Sequence, residues 1–157
     1  MKNKYNPDIL HRRSIRLKNH DYTEAGLYFV TICSWNRDCL FGEILEGELH
    51  LNGYGHIVKM EWLQTGIVRK NVELDTFVVM PNHFHGILVI NNNGRGTLQR
   101  APTKEQFGKP VSNSIPTIIR LFKSTIAKQI NKIRSTPGLP VWQRNYYEHI
   151  IRKEDEL

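Results

Sequence analysis

Cysteine is scarce in this chain: Cys33 and Cys39 are the only two among 157 residues, and they do not form a Cys-x-x-Cys pair. We therefore do not expect a disulfide framework or a cysteine-rich zinc site. The first thirty residues contain no apolar signal core, and no apolar run approaches the length of a membrane span. These absences predict a cytoplasmic protein that does not enter a membrane.

Several common catalytic patterns are also missing. Glu61 and Asp75 are isolated carboxylates, and the sequence has no paired-acid arrangement, nucleophile elbow or glycine-rich phosphate loop. Acidic residues are few, with 15 Asp and Glu against 22 Lys and Arg, which gives a net charge of +7. Such an excess suits a polyanionic partner. Many small basic proteins bind no polyanion, so charge leaves both interpretations open.

The length and composition predict one compact domain over residues 1–157. Hydrophobic residues make up 39% and charged residues 24%, which is ordinary for a globular protein. Residues 1–23 are polar and basic and read as an arm. Residues 91–113 are rich in Gly, Pro and Asn and predict a long mobile loop inside the domain.

The first half of the chain alternates between strand and helix patterns. Residues 26–35 are dense in aromatic and β-branched side chains and predict a central strand. Residues 43–51 predict a hairpin that turns at Glu46-Gly47, and Asn52 is placed to cap a helix that ends near Gly66. Residues 72–80 and 83–90 are both strand-like, and the Pro81-Asn82 turn between them predicts an antiparallel pair.

The second half begins with an amphipathic helix that starts at Ser114, with Pro116 in its first turn. Its predicted apolar stripe is Ile115, Ile118, Ile119, Phe122, Ile126, Ile130 and Ile133, and its basic face is Arg120, Lys123, Lys128 and Lys132. Residues 139–151 predict a last strand. This order matches an α+β, ferredoxin-like fold, with an antiparallel sheet and helices on one face.

The residues with the clearest chemistry are His83 and His85. Side chains two apart in a strand point to the same face, so both imidazoles project together while Phe84 points toward the core. Two partly desolvated imidazoles in an apolar hairpin are costly without a partner. The pair therefore predicts a divalent metal site, although an isolated His-x-His pair often has no function.

Three segments resemble one protein family. The string VVMPNHFHGILV is similar to the His-hydrophobe-His signature of the HUH single-strand endonucleases, in the form found in tyrosine transposases of insertion sequences. VWQRNYYEHIIRKEDEL and SIRLKNHDYTEAGLYFVTICSWNRDCLFGEI resemble the later and opening segments of the REP-associated branch of those transposases. The resemblance covers nearly the whole chain apart from the middle loop.

This resemblance implies a DNA transposase that acts on single-stranded or hairpin DNA and works as a homodimer. It implies Mg or Mn on His83 and His85, where the ion would polarise the scissile phosphate. A tyrosine would attack the phosphorus and form a phosphotyrosine, so that the strand can later be rejoined. Imidazoles also accept Mn, Ni or Zn readily, so the residues define the site better than the ion.

The chain departs from the family pattern at its C-terminal end. In the REP-associated proteins the nucleophilic tyrosine and a later metal-binding asparagine follow the Ile-Arg-acidic segment. By that register both would fall about two helical turns beyond Leu157. Tyr147 and Tyr146 are the fallback candidates, but we expect one of them to pack inward and the other to be exposed. His149 lies two residues from Tyr147. Its side chain either faces the site or is a hydrogen-bonded histidine that only supports the fold.

The remaining candidates are for DNA contact. Charged and stacking side chains suit phosphates and unpaired bases. The predicted set is Arg12, Arg13, Arg16, Arg120, Lys123, Trp142, Gln143, Arg144 and Arg152. Trp142 is equally compatible with a core position. Two alternative functions stay open: a non-catalytic single-stranded nucleic-acid binder that keeps the scaffold, and a metal hydrolase with an unrelated substrate.

Overall fold

The structure, a computed structural model, describes residues 20–91 and 111–152. Most of the predicted basic arm and of the predicted loop therefore lies outside the described residues. The elements are β1 (Gly26–Cys33), a 3₁₀ turn (Trp35–Arg37), β2 (Gly42–Leu45), β3 (Glu48–Leu51), α1 (Gly53–Val68), β4 (Val72–Met80), β5 (His83–Ile90), α2 (Ile115–Ile133) and β6 (Tyr147–Ile151).

Four strands form one antiparallel sheet in the order β4-β5-β1-β6, and β2 and β3 form a separate hairpin. The two helices cover one face of the sheet. There Trp62 of α1 packs against Phe84 of β5 with ring centroids 4.7 Å apart, and Phe122 of α2 lies 5.3 Å from Trp62. The α+β architecture predicted from the sequence is confirmed. Among residues 20–91 and 111–152, neither helix is long and apolar enough to cross a membrane.

Local chemistry explains where the helices begin. Asn52 Oδ1 accepts hydrogen bonds from the backbone N–H groups of Tyr54 and Gly55, at 2.9 and 3.0 Å, and so caps α1. Ser114 Oγ accepts from Thr117 N at 3.4 Å at the start of α2. The Glu46-Gly47 turn of the hairpin has positive φ at both residues, as a two-residue hairpin turn requires. All three predictions are confirmed.

Three element predictions need correction. The first strand ends at Cys33, because Trp35 begins the 3₁₀ turn. The last strand is only Tyr147–Ile151, because the preceding segment makes no more than an isolated bridge, between Trp142 and Ser34. Between that bridge and the strand, the carbonyl oxygens of Gln143 (2.7 Å) and Asn145 (3.1 Å) accept hydrogen bonds from Lys123 Nζ. The buried stripe of α2 ends at Ile130, and Ile133 is 62% exposed, because its side of the last turn faces solvent.

Candidate metal centre

The histidine pair lies at the N-terminal end of β5, immediately after the Pro81-Asn82 turn. Burial alternates along β5, so Phe84 is fully buried beneath the helices while His83 and His85 lie half-buried on the opposite, open face. Their ring centroids are 4.6 Å apart and the rings are nearly perpendicular, at 76°. The structure thus places the two imidazoles side by side on one face, as the alternation of the strand predicts.

The ring of His83 is held by its neighbour in the turn. His83 Nδ1 lies 2.6 Å from Asn82 Oδ1. Burial lowers the pKa of His83, and the positive charge of Arg37 lowers it further. Arg37 itself is exposed at the end of the 3₁₀ turn. The environment therefore favours the neutral imidazole, which is the form that binds metals.

The ring of His85 has two supports from β1. His85 Nδ1 lies 2.7 Å from Thr31 Oγ1, and Phe29 stacks on the imidazole with centroids 5.4 Å apart and planes 21° from parallel. Burial lowers the pKa of His85, and the nearby His83 adds to this effect. Since Nδ1 is hydrogen-bonded in both rings, Nε2 is the nitrogen available to a cation on each.

The open face continues from the histidine pair across β1 to β6. Thr31 is the cross-strand partner of both His85 and Tyr147, and Phe29 is the partner of His149. Tyr147 is 55% exposed and His149 is also exposed, so both lie on this face. Tyr146 is half-buried and packs against the core. The expected inward and outward arrangement of the two tyrosines is what the structure contains.

The predicted DNA-contacting residues lie in different environments. Arg12, Arg13 and Arg16 lie outside the described residues. Arg120, Arg144 and Arg152 are exposed, and Gln143 is half-buried. Trp142 is a core residue, only 7% exposed, with its ring 4.8 Å from that of Phe41. It has no free face for a base, and its prediction as a stacking residue is corrected. Lys123 is also turned inward, because its ammonium is bonded to backbone carbonyls.

Sequence reasoning missed the residues that surround the two imidazoles. Thr31, Phe29 and Arg37 are far from the histidines along the chain and meet them only through strand register and the 3₁₀ turn. Asn82 was identified as a turn residue, and its adjacency to His83 was the one available signal. Within the part of the chain that the structure describes, no group of three or more His, Cys, Asp or Glu side chains is arranged to hold a metal ion.

The fold and the paired histidines together define an α+β protein with a two-imidazole site on an open sheet face. No protein-family model matches the chain. It is 43% identical to a Haemophilus influenzae protein of uncharacterised function over 159 residues, which cover 98% of this chain and 86% of the relative. The chain belongs to the same family as that protein.

Two further matches carry transposase names. The chain is 26% identical to a candidate REP-associated tyrosine transposase of Haemophilus influenzae over 138 residues, 87% of this chain and 66% of that protein. Its fold matches a solved REP-associated tyrosine transposase bound to a REP hairpin, with a TM-score of 0.50, 18% identity and coverage of 83% of this chain and 59% of that one. The chain thus resembles these transposases and spans about two thirds or less of their length.

Proposed function

We propose that this protein is a DNA transposase of the HUH tyrosine type, which binds single-stranded or hairpin DNA and uses a divalent metal to cleave and rejoin a strand. The observation that carries the proposal is the pairing of His83 and His85 on one open face, with centroids 4.6 Å apart. The similarity to REP-associated tyrosine transposases supplies the substrate class, because the solved relative is bound to a REP hairpin.

The two imidazoles fit a divalent cation. Both are favoured in the neutral form by burial, and both have Nδ1 engaged and Nε2 free for coordination. Mg or Mn held there would supply Lewis-acid polarisation of a phosphate oxygen. Only these two protein ligands would hold the ion, since no third His, Cys, Asp or Glu is grouped with them among the described residues. We therefore expect weak metal binding in the absence of DNA.

Exposed basic side chains fit a phosphate backbone. Arg37 is exposed, and its positive charge lowers the pKa of His83, so the same charge would attract a phosphate bound near His83. Arg144 is exposed on the segment before β6, and Arg120 is exposed on α2, which lies on the other face of the sheet from His83 and His85. Contacts of this kind hold DNA without reading its sequence.

The attacking group in this chemistry is a tyrosine hydroxyl. The family register places it beyond the Ile-Arg segment, whereas Tyr147 is the tyrosine of residues 20–91 and 111–152 that lies on the open face. It is two strands from His85, which is about 10 Å across a sheet. Attack by the tyrosine hydroxyl on a phosphate of the strand would form the Tyr Oη–phosphorus bond and break the bond from phosphorus to one flanking sugar oxygen. That oxygen would take up a proton and leave as a hydroxyl end, while the rest of the strand would stay on the tyrosine.

A second candidate function is a non-catalytic binder of single-stranded nucleic acid. It is favoured by the lack of a third metal-ligating His, Cys, Asp or Glu near the pair among the described residues, and by the separation of Tyr147 from His85. In this alternative the open face and the exposed arginines bind the strand, and no covalent step occurs.

Oligonucleotide assays separate the two functions. Fluorescence anisotropy with a labelled single strand or hairpin should show binding. The logarithm of the association constant should fall linearly with the logarithm of the salt concentration. Incubation with Mn and denaturing electrophoresis then reports any covalent adduct. An adduct lost in His83→Ala plus His85→Ala and in Tyr147→Phe, but kept in Tyr54→Phe, supports catalysis through Tyr147.

The other outcomes are equally informative. Binding without an adduct supports the non-catalytic alternative for this polypeptide. An adduct that survives Tyr147→Phe transfers the nucleophile to another tyrosine, with Tyr146→Phe as the next variant to measure. Absence of salt-dependent binding to either oligonucleotide would contradict both functions.

A further inference from the structure

The turn that carries the first histidine is fixed from behind by a buried serine. Ser34 N donates to the carbonyl oxygen of Asn82 at 3.0 Å, and Ser34 is fully buried. Its Oγ lies between the carbonyl oxygens of Asn82 (2.9 Å) and Asp38 (2.7 Å) and donates to one of them at a time. Phe41 N donates to the carbonyl oxygen of Pro81 at 2.8 Å. The backbone of the Pro81-Asn82 turn is therefore held by residues from outside the hairpin, which restricts where the Asn82 side chain can reach.

The Asn82 side chain determines which nitrogen of His83 carries the proton. Its Oδ1 faces His83 Nδ1 at 2.6 Å, and an amide oxygen can only accept a hydrogen bond. His83 must then carry its proton on Nδ1, and the lone pair resides on Nε2. That tautomer is the one in which Nε2 can bind a cation without first losing a proton.

Thr31 acts on His85 in a related but less restrictive way. Its hydroxyl lies 2.7 Å from His85 Nδ1 and can either accept or donate. When it accepts, Nε2 of His85 carries the lone pair; when it donates, Nε2 carries the proton instead. The stacking of Phe29 on the imidazole keeps the ring plane in place in both cases.

We infer that Asn82 and Thr31 are positioning residues that set the imidazole tautomers for one divalent cation, with His83 set in advance and His85 set when the cation binds. This inference rests on the proposed function, because it assigns partners to the proposed metal ligands. It also distinguishes the two histidines, since the tautomer of His83 is set before the cation binds and that of His85 only when it binds. Outer hydrogen-bond partners of this kind typically change metal affinity about 10- to 100-fold when removed.

Mn affinity tests the inference directly. Free Mn can be counted by electron paramagnetic resonance in titrations of the purified protein and of Asn82→Leu and Thr31→Val, which keep side-chain size but remove the acceptor oxygen. We expect each variant to bind Mn about 10-fold or more weakly. Asn82→Asp and Thr31→Ser keep an acceptor and should restore affinity.

The matched control is Thr76→Val. Thr76 is an exposed threonine of β4 whose hydroxyl is bonded to Asp75, so the same substitution there should leave Mn affinity unchanged. Unchanged affinity in both Asn82→Leu and Thr31→Val would overturn the inference. Loss in Thr31→Val without recovery in Thr31→Ser would also overturn it for Thr31, since strand packing would then be the cause.

Nitrogen-15 chemical shifts of the histidine side chains give a readout independent of metal affinity. His83 of the metal-free protein should show the Nδ1–H tautomer, and Asn82→Leu should shift it toward the Nε2–H form that is usual in water. An Nε2–H form of His83 in the unmodified protein would overturn the role of Asn82. Addition of Mg should move His85 to the Nδ1–H form, and a His85 signal unchanged by saturating Mg would overturn the role of Thr31.

Failure of the inference can be distinguished from failure of the proposed function. His83→Ala plus His85→Ala should abolish Mn binding. Binding that survives in this double variant contradicts the metal site itself. Binding that is lost there but is unaffected by Asn82→Leu and Thr31→Val leaves the site in place and removes only the positioning role.

Discussion

The protonation of His83 and His85 affects the free energy of unfolding. Burial lowers the pKa of both imidazoles below the ordinary value of 6.5. The unfolded chain therefore binds more protons than the folded chain between the lowered pKa values and 6.5. Since stability rises with pH wherever the unfolded state holds more protons, the contribution is complete above 6.5 and is lost as pH falls through the folded pKa values.

We predict that the metal-free protein loses free energy of unfolding between pH 7.5 and pH 5, and that His83→Asn plus His85→Asn loses less. Urea denaturation at several pH values in the presence of a chelator measures the difference. The variant serves as its own reference for all other titrating groups, which it shares with the parent protein. Parallel curves for the two proteins would show that the imidazoles are not desolvated.

Among the elements, β5 and α1 meet at a glycine. A Cβ atom on Gly86 would lie 2.6 Å from Trp62 Cζ2 and 2.8 Å from Phe84 Cζ, closer than real Cβ contacts allow. The indole of Trp62 thus packs directly on the backbone of β5, next to His85. We predict that Gly86→Ala lowers the free energy of unfolding by about 1–3 kcal/mol, the usual cost of overpacking a core.

Chemical denaturation of Gly86→Ala measures this cost. Gly53→Ala is the matched control, because a Cβ there meets nothing within 4 Å and the position is the first residue of α1. Alanine favours a helix over glycine, so the control should be neutral or slightly stabilised. Equal stability of the two variants would mean that Trp62 can move away from β5 at no cost.

On α2, two basic residues three positions apart have opposite surroundings. Arg120 is exposed, whereas the Lys123 ammonium donates to two carbonyl oxygens, and burial lowers the pKa of Lys123 to about 8. We predict that Arg120→Met weakens binding of single-stranded DNA and reduces its salt dependence, since one phosphate contact is lost. Lys123→Met should leave both unchanged.

Anisotropy titrations at several salt concentrations provide the comparison at pH 7, where Lys123 is still protonated. The two substitutions remove one charge each, so any general effect of net charge is common to both. Equal weakening by both variants would show that the charge of Lys123 reaches the DNA despite its carbonyl contacts.

The elements that the sequence predicted well are those whose signals are local. Asn52 and Ser114 start helices through their own side chains, and Glu46-Gly47 forms its turn through its own backbone. Alternation along β5 placed His83 and His85 on one face for the same reason. Thr31 and Phe29 were missed because strand register is set by the whole sheet. The sequence around Trp142 is equally compatible with a buried and an exposed side chain. Only the packing of the folded chain determines that it is buried.

At the scale of the whole molecule, the sequence motifs lead us to expect that two copies of the 18.4 kDa chain associate. We predict a homodimer, measured as a doubled mass by sedimentation equilibrium of the purified protein. Because association depends on concentration, the apparent mass should fall toward that of one chain on dilution. A constant single-chain mass at high concentration would contradict the prediction.

The position of β5 in the sheet affects how often its backbone opens to solvent. β5 is an interior strand, paired with β1 over its whole length and with β4 at every residue except Ile87, where the register of β4 shifts. Amide hydrogens in such strands exchange with solvent only through openings that approach global unfolding, whereas frayed edges and loops exchange quickly. We therefore expect the backbone that carries the two imidazoles to open rarely compared with the loops and edge strands of the described residues. A bound ion would see ligands whose backbone keeps its position between one rare unfolding event and the next.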